Sequence, residues 1–368
     1  MPIESPATSA ERGQMTIASV RILRLAAGTS LSLWFSQAVG WQLSFIAPVI
    51  TMVILATPMP ALKLKGGIGF VLVLTVSLYA GMLLLPALLN YTVVGVLLLT
   101  LALYWSFYFT SKGGSAVLGT FATVGIALTT AVGSVSVDAV LLLAKSVSLA
   151  TGVGVLFVWI AHALIPDSLA ADAPPPVSRE KPDSPKPDLA NARWTAFRSL
   201  LIVMPVALWM LFSAASTAYV PVMLKVASMG QQATNDESRD AGRSLIGSTI
   251  IGGVAAIIGW EILSISPTLM VYTLIIALSA LIMGPKIFQR AAMHPQAATW
   301  SYAYLTMLVI LAPAVMDSVG GDSASLKFWD RMIMFGGTTL YAVVAVYVAD
   351  AFRPARLKRA GGRSHSSD

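Results

Sequence analysis

Charge is scarce in this chain. Only 11% of its 368 residues are charged and 56% are hydrophobic, whereas a soluble domain carries about 25% charged residues. Cysteine is absent, which excludes disulfides, thiolate metal sites and cysteine nucleophiles. The three histidines, His162, His294 and His365, show no metal-ligand spacing. No Gly-x-x-x-x-Gly-Lys-Ser/Thr loop occurs; Lys65-Gly66-Gly67 and Lys112-Gly113-Gly114 read as loop-to-helix junctions. No serine, histidine and acid set stands out. The residues therefore point away from an enzyme and away from any cofactor or metal.

What the missing charge leaves is a series of apolar runs. A spanning helix needs roughly 20 mainly apolar residues to cross about 30 Å of hydrocarbon. Residues 41–60, 66–89, 91–110 and 114–137 qualify without one charged side chain. Inside lipid the backbone must satisfy itself, so such runs are helices or a closed barrel. Barrel strands alternate over short segments, and these runs are continuous. The expected fold is an all-α polytopic membrane protein of about 12 transmembrane helices.

Six spans are expected in a first membrane unit, 21–165: 25–39, 41–60, 66–89, 91–110, 114–137 and 139–165. Residues 166–193 follow, rich in proline and lysine, and read as an extended flexible linker. A second six-helix unit, 194–352, offers 200–218, 219–231, 244–266, 268–285, 297–316 and 331–348. Span 219–231 is short and contains Lys225, so a half-helix is equally open there. A polar tail, 1–20, precedes the first unit and a basic tail, 353–368, follows the second. The first tail lacks the pattern of a cleaved signal, which leaves the first span as the targeting signal.

The net charge of +7 sits in alternate loops. Arg12, Arg21 and Arg24, then Lys63 and Lys65, Lys112, the linker, Arg239 and Arg243, Lys286 and Arg290, and Arg353 onward fall on one side. The positive-inside rule accounts for them without nucleic acid. It predicts a multi-pass protein of a bacterial inner membrane with both termini cytoplasmic, in contact with the lipid bilayer. The sequence leaves a homo-oligomer open.

The two units echo each other. Lys65 four residues before Gly69 matches Arg243 four before Gly247, and Lys112 matches Arg290 at the same separation. Ala161-His162-Ala163-Leu164-Ile165-Pro166 mirrors Ala349-Asp350-Ala351-Phe352-Arg353-Pro354 after a short insertion. An even number of spans per unit makes the repeats parallel, related by an axis along the membrane normal.

Charged residues in or beside spans are costly in lipid, roughly 2.5–3.5 kcal/mol on insertion scales. Lys145 and Arg331 lie at similar places in the last span of each unit. They read either as a cationic pair lining an anion path or as side chains snorkelling to the headgroups beside Asp138 and Asp330. Glu261, next to Trp260, reads as a desolvated proton acceptor or as an interfacial carboxylate in an aromatic belt. Lys225 and Arg243 are further candidates for the substrate path, with snorkelling or a solvated loop as the alternative. Tyr104–Phe109 is either an anchoring belt or a surface for stacking aromatic substrates.

The six-span units, the stretch Trp-Gln-Leu-Ser-Phe-Ile-Ala-Pro at 41–48, and Lys65–Gly69 with its echo Arg243–Gly247 resemble the fusaric-acid-resistance-like family of bacterial membrane proteins. The resemblance covers most of the apolar chain. It implies an efflux carrier for small organic anions, aromatic carboxylic acids in particular, working with a periplasmic adaptor and an outer-membrane channel. Larger members carry a soluble cytoplasmic region between the halves; this chain has only 166–193 there. A passive anion channel and a non-transporting scaffold of an envelope complex are the alternative readings.

Overall fold

The computed structural model describes residues 15–41, 43–133, 136–170, 189–212, 238–289, 292–318 and 324–352. The expected span 219–231 with Lys225, most of the linker, residues 1–14 and the last tail lie outside the described residues, and helices begin at Ile17 and Leu189, inside the expected first tail and linker. The first unit contains α1 (Ile17–Val39), α2 (Ile46–Leu55), α3 (Leu64–Leu83), α4 (Leu85–Asn90), α5 (Thr92–Ser111), α6 (Ala116–Gly133) and α7 (Val137–Leu164). The second contains α8 (Leu189–Phe212), α9 (Ser238–Ile265), α10 (Leu269–Met283), α11 (Ala297–Ser318) and α12 (Ala324–Ala351). A two-stranded hairpin, Phe288–Gln289 against Ala292–Met293, joins α10 to α11.

The outside of this bundle is apolar. Leu64, Ile68, Leu72, Val76 and Leu83 are exposed on α3, and Ile246, Ile250, Val254, Ile258 and Ile262 on α9. Their spacing of about four residues makes a continuous stripe along each helix. Such stripes would be an aggregation hazard in water and suit lipid. Six segments are long and apolar enough to cross a membrane: 64–90, 92–111, 137–169, 243–265, 269–286 and 328–349. The chain is thus an all-α protein of the multi-pass membrane type.

Small and hydroxyl-bearing residues turn inward, as close helix packing in lipid requires. Ser106 and Thr123 join α5 to α6 at 2.8 Å, Thr75 and Ser148 join α3 to α7 at 3.1 Å, and Thr249 and Thr339 join α9 to α12 at 3.0 Å. A Cβ on Gly252 would run into the Ala303 carbonyl, so glycine is what lets α9 meet α11 there.

Two expected spans are interrupted. The run 66–89 breaks at Leu84 and restarts as α4, because Pro86 lacks an N–H and clashes with the carbonyl four residues earlier. The run 41–60 is helical only over the ten residues of α2, about 15 Å at 1.5 Å per residue. Gly40 ends α1 in the left-handed region with φ 68°, Leu43 follows at φ 59°, and Pro58 and Pro60 stop α2 from continuing. Irregular backbone at membrane depth must be shielded by protein. Accordingly nine of the ten α2 residues are buried, packed against α1 and α7.

Candidate functional site

α1 is the helix that the two units share. It packs against α2 and α7 of the first unit and against α10 of the second. Thr16 caps its start by accepting from Ser19 N at 3.2 Å. Its sequence departs from a lipid-facing helix: Arg24, Thr29, Ser30, Ser32 and Ser36 are all buried. The face of α1 that packs on α2, α7 and α10 is enclosed by protein and can carry polar groups that its exposed face, with Leu31, Trp34 and Phe35, could not.

Around α1 these groups form two levels. At one end, Arg24 donates through Nε and Nη2 to the Ile165 carbonyl at 3.0 and 2.6 Å, and through Nη2 to Asp167 Oδ1 at 2.6 Å. His162, one turn back on α7, has Nδ1 2.9 Å from the Val158 carbonyl and faces the Met59 carbonyl beyond α2. Arg24 reads from the sequence as a loop cation and Asp167 as part of the linker. The signal for their pairing is weak: a cation just before an apolar run, and an acid directly after Pro166.

Deeper along α1 the groups are uncharged. Tyr304 of α11 donates to the Ile276 carbonyl of α10 at 3.0 Å. Its hydroxyl faces Thr29 and lies close enough to that of Tyr272 to interact. On the α2 side, Thr51 donates to its own helix at Ala47 and to the Gly154 carbonyl of α7, at 2.9 and 3.0 Å. A Cβ on Gly154 would stand 2.8 Å from the Ala47 carbonyl, so α2 rests directly on the α7 backbone. Among the described residues no three His, Asp or Glu side chains group as metal ligands.

The residues expected to line a path are dispersed. Lys145 is on the exposed face of α7, Arg243 is exposed near the start of α9, and Glu261 is exposed near the end of α9. Arg331 is buried in α12, 6% exposed. One turn before it, Phe328 stacks on Trp260 at 5.2 Å and 11°, which brings Arg331 and Glu261 to the same end of the packed α9–α12 pair. Lys145 and Arg331 thus lie in different surroundings, one at the surface of α7 and the other in the core of α12.

The aromatic cluster divides in the same way. Phe107 is fully buried, while Trp105 and Phe109 are exposed. Tyr108 stacks on Tyr104 at 6.1 Å and meets Trp105 edge-on at 5.6 Å.

Residues 21–161, which run from α1 to near the end of α7, match the profile of a family described as a protein of unknown function, DUF2955. No curated protein matches the chain. No solved structure matches it either.

Proposed function

We propose that this chain is a secondary exporter of small organic anions, aromatic carboxylic acids foremost, in the inner membrane of a bacterium. Both termini are cytoplasmic. About twelve membrane segments form two parallel repeats, and the segments that are short or less apolar are the ones enclosed by others. The resemblance to fusaric-acid-resistance-like carriers, with a periplasmic adaptor and outer-membrane channel as partners, belongs to this reading.

The observation that carries it is reciprocal packing. Within the units, α3 packs on α6 and α9 on α11, α3 on α7 and α9 on α12, α1 on α7 and α8 on α12. Between them, α1 packs on α10 and α5 on α8. Each unit thus offers its first helix to the equivalent of α5 in the other. That is the arrangement expected of repeats related by an axis along the membrane normal, where substrate sites lie at the repeat interface. Rocking one unit against the other about such an interface exposes it to each side in turn.

The test is export. Everted membrane vesicles containing the protein should accumulate labelled benzoate when energised, and a protonophore should abolish the accumulation. Accumulation equal to that of empty-vector vesicles, with the protein present in the membrane, refutes the exporter. Benzoate flux that needs no gradient and persists with the protonophore replaces it with a passive anion channel.

A further inference from the structure

The contact between α1 and α10 buries hydroxyl groups that lack partners. The two helices run antiparallel: Gly284, just past α10, rests on Ile22, and Ile276 lies beside Thr29 through Tyr304. From Gly284 back to Tyr272 is about 18 Å at 1.5 Å per residue. The same climb along α1 from Ile22 ends at Trp34, so Tyr272 lies within a turn of Ser32. Thr29, Ser32 and Tyr304 are fully buried and Tyr272 is 1% exposed. Tyr272 Oη and Ser32 Oγ form no hydrogen bond, and Thr29 Oγ1 meets only the Tyr304 hydroxyl.

That is unusual within this fold. Hydroxyls on its helices ordinarily turn back to a carbonyl of the preceding turn, as Ser36, Thr51, Thr100 and Thr273 do at 2.7–2.9 Å. A buried polar group without a partner is costly, more so in hydrocarbon. Two of them on facing helices, beside the Thr29 and Tyr304 hydroxyls at the boundary between the units, form a surface suited to a polar occupant.

The charge of that occupant follows from the walls. Residues 25–39 of α1, the whole of α10, and α11 up to residue 316 contain no ionisable group besides tyrosine. A carboxylate placed here would be a buried charge without a counter-ion, which is far costlier than a neutral carboxyl. Hydroxyls can donate and accept at once. Tyr272 can donate to a carbonyl oxygen while Ser32 or Thr29 accepts from an acid O–H or an amide N–H.

We propose that Thr29, Ser32, Tyr272 and Tyr304 form the polar wall of a ligand site between α1 and α10, which takes a small aromatic acid in its uncharged, protonated form. The proposal rests on the exporter reading for its choice of acid. α1 and α10 close over the site here, and their separation opens it. Bound as the neutral acid, the ligand brings its own proton, so the site needs no cation of its own, and gradient-driven export then requires at least one proton to return inward for each acid carried out.

Thermal unfolding of the full chain in nanodiscs at pH 7.5 tests this with benzamide, an uncharged isostere, and benzoate, almost wholly ionised. Benzamide should raise the melting temperature with an affinity above that of benzoate. Tyr272→Phe keeps the ring and removes the hydroxyl. It should weaken benzamide about five- to tenfold, the loss of one buried hydrogen bond, while melting no lower than the wild type without ligand. Ser32→Ala should act in the same direction. Tighter binding of benzoate, no binding of either probe, or benzamide binding indifferent to Tyr272→Phe overturns the site and leaves ordered water as the occupant of these hydroxyls. The vesicle assay separates the two ideas: wild-type export unaffected by Tyr272→Phe sinks the site alone, whereas hydroxyl-dependent benzamide binding without export sinks the exporter alone.

Discussion

Arg24 of α1 and Asp167, just beyond α7, form an ion pair at 2.6 Å whose two ends differ in exposure. The Arg24 side chain is 5% exposed and that of Asp167 is 47% exposed. Removing the exposed partner strands a buried guanidinium, whereas removing the buried partner leaves a carboxylate that water can reach. Asp167→Ala should therefore destabilise the protein by about 1–3 kcal/mol, and Arg24→Met by clearly less. Arg24→Met/Asp167→Ala should melt close to Arg24→Met alone. Thermal melting of the three variants in one detergent checks the order; equal losses from both single changes contradict it.

Two glycines of α7, two residues apart, should respond oppositely to the same substitution. Gly154→Ala pushes a methyl to 2.8 Å from the Ala47 carbonyl and from Ile50, and overpacking of this kind costs about 1–3 kcal/mol. Gly152 has nothing within 4 Å of where a Cβ would stand. Gly152→Ala should stabilise by about 0.4–1 kcal/mol, through the restricted unfolded chain. The same melting measurement decides. A tolerated Gly154→Ala would mean that α2 is not seated on α7 as described.

The sequence made the membrane character plain, because missing charge is a property of composition and needs no partner. It also marked the ends of most helices, since proline, glycine and loop cations act locally. It was weaker where burial depends on neighbours. The run 41–60 has the composition of a span, yet Leu43 and Pro58 divide it, and its short helix is tolerable only because α1 and α7 enclose it. Arg24 could not be told from an ordinary loop cation, as its partner at 167 is distant in the chain. Tyr272 and Tyr304 sit in apolar runs like any packing aromatic; their meaning lies in hydroxyls that meet across three helices.

The exposure of Lys145 and the burial of Arg331 predict that two similar-looking cations behave differently. Lys145→Gln alters an exposed side chain and should leave both melting temperature and benzoate export within experimental error. Arg331→Gln alters a buried side chain next to the Trp260–Phe328 stack. It should lower the melting temperature, with a cost of about 1–3 kcal/mol for disturbing a buried charged group. Parallel effects from both substitutions would contradict the difference in burial and favour the pairing suggested by their places in the sequence.

The absence of cysteine makes the native chain its own background for a topology test. A single Asn90→Cys, at the last residue of α4, lies at an exposed position beside a turn without cations, and a single Lys112→Cys lies at an exposed position just after α5. α5 is 20 residues, about 30 Å long, and crosses a hydrocarbon core of that thickness. The two thiols should therefore sit on opposite sides. In intact cells made permeable only at the outer membrane, a membrane-impermeant maleimide should label Asn90→Cys and spare Lys112→Cys. Disrupting the inner membrane should make both reactive. Labelling of Lys112→Cys before disruption would contradict the orientation that the loop cations predict. It would place both termini outside, so that the vesicle assay would have to be run right side out.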